Sequence, residues 1–126
     1  MKNILYTLFT LLLISSCTTE TVRDAKQETS HPKIYPDYVD VTIPVNIAPL
    51  NFCMADEKAL LIDAVVADNQ GNSLHSQGDE ALDFDIDDWH QILDNNRGKK
   101  LTVTVSAKYE DGWHTYRPFS ILVSND

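Results

Sequence analysis

Six carboxylates crowd residues 79–88, and their spacing is the nearest approach to a metal-binding motif in this sequence. Asp83, Asp85 and Asp87 fall at positions 1, 3 and 5 of an EF-hand calcium loop. Position 6 is Asp88, however, where that loop needs glycine, and alternate side chains along a strand lie about 7 Å apart. We therefore expect a solvated acidic strand face here, with a metal site at Asp83, Asp85 and Asp87 as the weaker alternative.

The remaining residue types give no local sign of catalysis. His31, His75, His90 and His114 lack the two- to four-residue spacing that zinc ligands show. No phosphate loop, dinucleotide fingerprint or Gly-x-Ser-x-Gly motif occurs. We expect a protein that is not an enzyme and has no cofactor. The alternative is a small hydrolase whose acid–base pair is distant in sequence.

Cys17 has the sequence context of a lipidated cysteine. The positive charge of Lys2 is followed by an apolar run, Ile4–Ile14, which at eleven residues is shorter than the roughly 20 needed to cross a bilayer. The segment Leu13–Cys17 reads Leu-Ile-Ser-Ser-Cys and is similar to a bacterial lipobox. We expect residues 1–16 to be a lipoprotein signal peptide that is cleaved before Cys17, which then carries acyl chains such as palmitate. A plain signal peptide or a short buried helix is the alternative.

An anchor at Cys17 predicts a place in the cell envelope. Each buried acyl methylene contributes about 0.8 kcal/mol, so several chains make the attachment effectively permanent. Thr18 is not the aspartate type of signal that retains lipoproteins in the inner membrane. The prediction is a protein held by lipid in the outer membrane, on its periplasmic or surface-exposed side.

The chain is acidic. Its formal charge of −9 becomes −10 when Lys2 is lost with the signal peptide. Such a domain repels nucleic acid and anionic headgroups, and no basic patch is visible in the sequence. Nucleic acid is therefore excluded as a partner.

Two segments follow the signal peptide. Residues 17–33, which begin with the lipidated Cys17, are polar and lack apolar periodicity, so we predict a disordered tether. The sixteen coil residues 18–33 would give it a root-mean-square reach of roughly 20–25 Å. Residues 34–126 are predicted to form a single β-sandwich domain.

Period-two alternation of apolar residues predicts strands with one buried face through most of that domain. Residues 88–97 are the exception, with Trp89, Ile92 and Leu93 on one helical face and Asp88 as the expected N-cap. The predicted fold is all-β: a small antiparallel two-sheet sandwich of immunoglobulin-like character with one short helix near residues 88–97. The predicted strands are residues 39–47, 59–68, 73–77, 82–86, 101–109 and 113–121.

The last two strands allow a prediction of register. A three-residue loop, Glu110-Asp111-Gly112, with glycine at positive φ keeps the apolar faces together, since a one-residue slip would turn every side chain over. Pro118 predicts a bulge that turns Arg117 outward. The expected cross-strand pairs are Leu101 with Ile121, Val103 with Phe119, and Tyr109 with Trp113.

Four aromatic residues are candidates for contact with a ligand or a partner. Tyr35 and Tyr38, which flank Pro36 and Asp37, are expected at the surface. Trp113 and Tyr116 lie on the last hairpin, where exposed aromatic rings could stack on sugars. The alternative for Trp113, and for Tyr109, is a place in the core.

The segment Ile34–Phe52, which contains Val-Asp-Val-Thr-Ile-Pro-Val, resembles the module that opens a family of Bacteroidetes lipoproteins with a later TolB-like β-propeller. The spaced pattern from Trp89 to Phe119 is similar to the same module. In that family a haem-type Cys-x-x-Cys-His segment and the propeller follow, and neither occurs in this sequence. The resemblance implies a cell-envelope location and an accessory module, and it carries over neither electron transfer nor a propeller function.

The sequence therefore favours a cell-envelope lipoprotein that carries a non-enzymatic interaction module. Its expected partners are the membrane, through the lipid anchor, and another envelope protein. A carbohydrate-binding module is the second hypothesis, and it requires at least two coplanar aromatic rings exposed on one face. The hydrolase with an unrecognised site is the third.

Overall fold

The computed structural model describes residues 19–126. Within that range, nine strands form a seven-stranded mixed sheet and a two-stranded antiparallel sheet, accompanied by one short helix, α1 (Ile86–Asp94). The predicted all-β class, with two sheets and a short helix, is confirmed. Among the residues described, no helix is long and apolar enough to cross a membrane. The strands are β1 (Lys26–Gln27), β2 (Ile34–Tyr35), β3 (Thr42–Ile43), β4 (Cys53–Met54), β5 (Leu61–Ala67), β6 (Ser73–Gly78), β7 (Lys100–Tyr109), β8 (Gly112–Thr115) and β9 (Phe119–Val123).

The large sheet is centred on β7, which is long enough to pair with two strands along one edge. On the other edge β5 pairs with β7 in antiparallel fashion, and β6 forms a hairpin with β5. These two strands correspond to the predicted strands over residues 59–68 and 73–77. The two halves of β7 pair with β9 and β8. The short strands β3 and β1 then add to β9 and β8 in parallel, so the sheet is mixed rather than purely antiparallel. The small sheet consists of β2 and β4.

The large sheet has a core face and an open face, because successive side chains of a strand point to opposite sides. The core face is covered by α1, the small sheet and their connections, which gives one hydrophobic cluster. The side chains of β5, β6 and β7 that share the open face, by cross-strand register, are Leu61, Asp63, Val65, Ala67, Ser73, His75, Gln77, Lys100, Thr102, Thr104, Ser106 and Lys108.

The register predicted for the last strand is confirmed. In the β7–β9 pair, Leu101 faces Ile121 and Val103 faces Phe119, and all four side chains are buried on the core face. The alternation of apolar residues fixes this register, since a shift by one residue would expose every one of them.

The predicted pair of Tyr109 with Trp113 is wrong. Tyr109 pairs instead with Gly112 (φ +113°) across a two-residue loop, so Trp113 faces Lys108 and lies on the open face. Residues 116–118 then oppose only two residues of β7, which inserts one extra residue and restores the register in β9. This is the predicted bulge, and Arg117 within it is exposed.

The predicted strand over residues 82–86 is also wrong. Leu82 and Phe84 are buried as expected, but the segment joins no sheet, and α1 begins at Ile86. The N-cap is Asp85 rather than Asp88: the Asp85 carboxylate accepts a hydrogen bond of 2.9 Å from the peptide N–H of Asp88. This carboxylate satisfies an N–H group that has no partner inside the helix, so the helix starts before the predicted residue 88.

The strand predicted over residues 39–47 is reduced to the two residues of β3, Thr42–Ile43. Asp40 has φ +57°, a left-handed conformation that interrupts an extended chain, and Pro44 has no N–H to donate to a ladder. Ile43 is buried, while the other apolar residues of this segment are only partly buried against the core.

Candidate functional site

Residues 19–31 form an N-terminal strap that is attached to the large sheet. At its beginning, the peptide N–H of Glu20 donates to Oε1 of Gln77 at 2.8 Å, and Nε2 of Gln77 donates back to the carbonyl of Glu20 at 2.7 Å. The ammonium of Lys108 forms an ion pair with the carboxylate of Glu20. Gln77 and Lys108 belong to β6 and β7, so the strap begins on the open face.

The other end of the strap continues the sheet. Strand β1 pairs in parallel with β8, and the peptide N–H of Glu28 donates to the carbonyl of Thr115 at 2.8 Å. The carbonyl of Ser30 accepts from the N–H of Arg117 at 2.9 Å. The prediction of a disordered tether is therefore wrong for residues 19–31, because the backbone of this segment forms hydrogen bonds along the edge of β8.

His114 ties the strap to the last hairpin. Its Nδ1 lies 2.8 Å from Oε1 of Glu28, and its Nε2 lies 2.9 Å from Oδ1 of Asp111. The hydrogen bond with Glu28, followed by that with Asp111, raises the pKa of His114 above its ordinary value. The same hydrogen bond with His114 holds the pKa of Asp111 below its ordinary value. Protonated His114 thus bridges two carboxylates, one of them on the strap.

Trp113 is buried between the attachment points of the strap and outside the main core. Only 6% of its surface is exposed, yet it lies outside the hydrophobic cluster of the core face. Its neighbours on the sheet, Lys108 opposite and His114 beside it, are attachment points for Glu20 and for β1. Residues 21–25 connect these two attachment points, and we infer that they cover Trp113.

Tyr116 is half-buried, and its hydroxyl group lies 3.0 Å from that of Tyr109. Burial, followed by this hydrogen bond, raises the pKa of Tyr109 well above its ordinary value. The ring of Tyr109 also meets the edge of His114, with ring centroids 5.1 Å apart. Trp113 and Tyr116 therefore do not form a pair of exposed coplanar rings.

The two tyrosines near Pro36 differ in exposure. Tyr35 is 70% exposed, and its backbone is fixed by pairing with Cys53 in the small sheet. Tyr38 is half-buried and contacts the core through an edge-on arrangement with Phe52, with ring centroids 6.4 Å apart. Of the four aromatic residues singled out in the sequence, Tyr35 is the one that offers an open ring.

The open face holds a carboxylate–histidine pair. Oδ2 of Asp63 accepts hydrogen bonds from Nε2 of His75 at 2.6 Å and from Nε2 of Gln77 at 2.9 Å. The side chain of Asp63 is 8% exposed and that of His75 is 48% exposed. This arrangement satisfies a buried carboxylate with two donors, and it leaves His75 on an open sheet surface rather than in a cleft.

A groove of about 430 Å³ lies beside the pair of β3 and β9. Thr42, Lys100, Ser120 and Leu122 line it from the open face. Its other lining includes His31, Asp40 and Arg117 at the bulge. Among the described residues, neither Lys100 nor Arg117 takes part in an ion pair.

A second groove, of about 440 Å³, lies between the β5–β6 turn and α1 and is lined mainly by polar side chains. Behind it, Oδ2 of Asp68 accepts hydrogen bonds of 3.0 Å from the side chains of Asn96 and Asn72. The bond from Asn96 is the main cause that holds the pKa of Asp68 far below its ordinary value. Asn96 is 1% exposed, so this network joins the turn to the C-terminal end of α1.

The carboxylates that prompted the calcium alternative do not converge. Asp83 precedes α1, Asp85 caps it, and Asp87 lies in its first turn, with all three exposed. Within residues 19–126, no three His, Cys, Asp or Glu side chains are grouped closely enough to hold a metal ion. The segment is neither the strand face nor the calcium loop considered from the sequence.

The predicted lipidation site, Cys17, lies outside the described residues, and so does the predicted signal peptide. The strap, Lys100 and the groove beside Arg117 were missed by sequence reasoning. The sequence features that could have indicated this groove were the predicted positive-φ turn and the bulge at Pro118. They predicted only that Arg117 turns outward. Comparison of the chain with protein-family models, curated proteins and solved structures finds no match.

Proposed function

We propose that this chain is a lipid-anchored protein of the bacterial outer membrane whose β-domain is a non-enzymatic interaction module for another envelope protein. The observation that carries the proposal is the order of the elements at the amino end: the charge of Lys2, the apolar run Ile4–Ile14 and Leu-Ile-Ser-Ser before Cys17. The resemblance of Ile34–Phe52 to the first module of Bacteroidetes TolB-like lipoproteins supports the same location.

The surface chemistry of the domain supports an interaction module. Tyr35 is 70% exposed on a backbone held by the small sheet, and tyrosine is enriched at protein interfaces because its ring offers contact area at little entropic cost. The Asp63–His75 pair lies on an open sheet face, which is a poor place for a hydrolytic site. The carbohydrate alternative loses its stacking platform, because Trp113 is 6% exposed.

Substitution of the anchor cysteine tests the location. Cys17→Ala should move the protein from the membrane fraction to the periplasmic fraction, or to an unprocessed precursor, because no acyl chain can be attached. Cys53→Ala is the matched control and should stay with the membrane, since Cys53 lies within the folded domain. Membrane association of the Cys17→Ala protein equal to that of the wild type would contradict the proposal.

A photo-crosslinking residue at position 35 tests the interaction module. The expected result in intact cells is a crosslink to one envelope protein, and it should be lost when the same probe replaces Gln70, which is exposed in the β5–β6 turn. Equal crosslinking from both positions would contradict a specific contact at Tyr35.

A further inference from the structure

The strap fixes how far the domain can be from a lipid attached to Cys17. Glu20 is the first residue of the strap that is bound to the sheet, and it comes three residues after Cys17. Three residues span at most about 11 Å between α-carbons, even when they are fully extended. An anchor at Cys17 therefore keeps the Glu20 end of the open face within about 11 Å of the bilayer interface, instead of at the end of a long coil.

The charges of the domain are distributed unevenly between its two sides. The acids Asp83, Asp85, Asp87 and Asp88 are exposed on and before α1, which covers the core face. On the open face, by contrast, the carboxylate of Asp63 is 8% exposed and bound by His75 and Gln77, and Glu20 is paired with Lys108. The exposed acids on and before α1 therefore lie on the side of the domain away from the open face.

The open face also borders a groove that is lined by two cationic side chains. Lys100 and Arg117 line the groove of about 430 Å³ beside β3 and β9, together with Asp40. Lys100 and Lys108 stand at opposite ends of β7, eight residues and thus about 26 Å apart along the strand. Lys100 therefore lies at the far end of the face from the anchored end, and Arg117 at the bulge lies between them, beside the middle of β7.

We propose that the open face lies against the phospholipid bilayer, held at one end by the anchor near Glu20 and, farther along the sheet, by Arg117 beside the middle of β7 and Lys100 at its far end, which bind lipid phosphate. This inference rests on the proposed lipidation of Cys17. Guanidinium and ammonium groups are attracted to anionic headgroups, and this attraction orients a domain that is already tethered. Helix α1 and its acidic residues then point away from the membrane.

Depth-dependent quenching tests this orientation. The full lipidated protein, with Cys53→Ser, is placed in nanodiscs of phosphatidylethanolamine and phosphatidylglycerol that contain nitroxide-headgroup lipid. One fluorescent label is attached at Thr102→Cys on the open face, or at Gln91→Cys on α1, and both positions are exposed. The expected result is loss of fluorescence at position 102 and little loss at position 91. Equal loss at both positions, or greater loss at 91, would overturn the orientation.

The cause of the orientation is tested with two further changes. The double variant Lys100→Glu/Arg117→Glu should reduce quenching at position 102. The control variant Arg97→Glu changes a residue beside α1 and should leave that quenching unchanged. A twelve-residue Gly-Ser linker inserted between Thr19 and Glu20 adds roughly 17–21 Å of reach and should reduce it as well. Quenching that persists through both changes would contradict the two-point attachment.

The mass of each purified protein separates the two proposals. A chain without acyl groups on Cys17 refutes the proposed anchor. A lipidated chain with equal quenching at both labels refutes the orientation alone.

Discussion

Oε1 of Glu28 lies 2.8 Å from Nδ1 of His114, and this contact joins residues that are 86 positions apart in the sequence. It holds the N-terminal strap against the hairpin that contains Trp113. Since the partner nitrogen of His114 bonds to Asp111, the strength of the attachment depends on the charge of one imidazole.

The contribution of His114 to stability should depend on pH. The pKa of His114 is raised above its ordinary value of 6.5, so its stabilising effect is complete below that value and is lost as the pH rises through the higher pKa of the folded state. We expect His114→Gln to lower the midpoint of urea unfolding at about pH 5.5 and to change it little at about pH 9. Equal effects at both pH values would contradict a charged bridge. Tryptophan fluorescence is the measurement, because Trp113 lies under the strap.

Truncation of Leu101 should cost a large part of the stability of the domain. Leu101 is fully buried and faces Ile121 in the β7–β9 pair, so Leu101→Ala removes packed methylenes and leaves a cavity. The expected loss of unfolding free energy is about 2–5 kcal/mol. Leu60→Ala, at a side chain that is 52% exposed, should change it by less than about 0.5 kcal/mol. Similar losses for both variants in chemical denaturation would argue against the core described above.

A single substitution should show how much the N-cap of α1 contributes to the stability of the domain. Asp85→Ala removes the acceptor for the N–H of Asp88 and should cost about 1 kcal/mol. Asp83→Ala is the control, because its exposed side chain lies outside the helix, and it should cost less than about 0.5 kcal/mol. If thermal unfolding ranks the two variants in the opposite order, the assignment of Asp85 as the cap is wrong.

The backbone passes so close to position 78 that only glycine fits there. A Cβ atom at this position would lie 2.0 Å from the carbonyl oxygen of Ala81, so Gly78→Ala forces the chain after β6 to move. The expected loss is about 1–3 kcal/mol in urea unfolding. At Gly71 a Cβ meets nothing within 4 Å, and Gly71→Ala should cost only the strain of its φ of +89°, about 1 kcal/mol. A Gly78→Ala protein as stable as the wild type would refute this contact.

Alternation of apolar residues was sufficient to predict the register of β7 with β9. It failed over residues 39–47, where the same alternation is present but Asp40 adopts a positive φ and Pro44 cannot pair. The difference lies in the backbone, which a hydrophobic pattern does not report.

The strap could not be predicted for another reason. Its contacts join polar groups 57, 86 and 88 positions apart: the backbone of Glu20 with the side chain of Gln77, and the side chains of Glu28 with His114 and of Glu20 with Lys108. No apolar periodicity accompanies them, so a polar composition alone indicated disorder. The groove beside Arg117 is likewise assembled from β3, β7, β9 and the strap only when the chain has folded.

The mass of the amino-terminal peptide of the mature protein, isolated from the membrane fraction, tests the central claim most directly. The account predicts that this peptide begins at Cys17 and carries a diacylglyceryl group. A peptide that retains residues 1–16, or one in which Cys17 is unmodified, would contradict it.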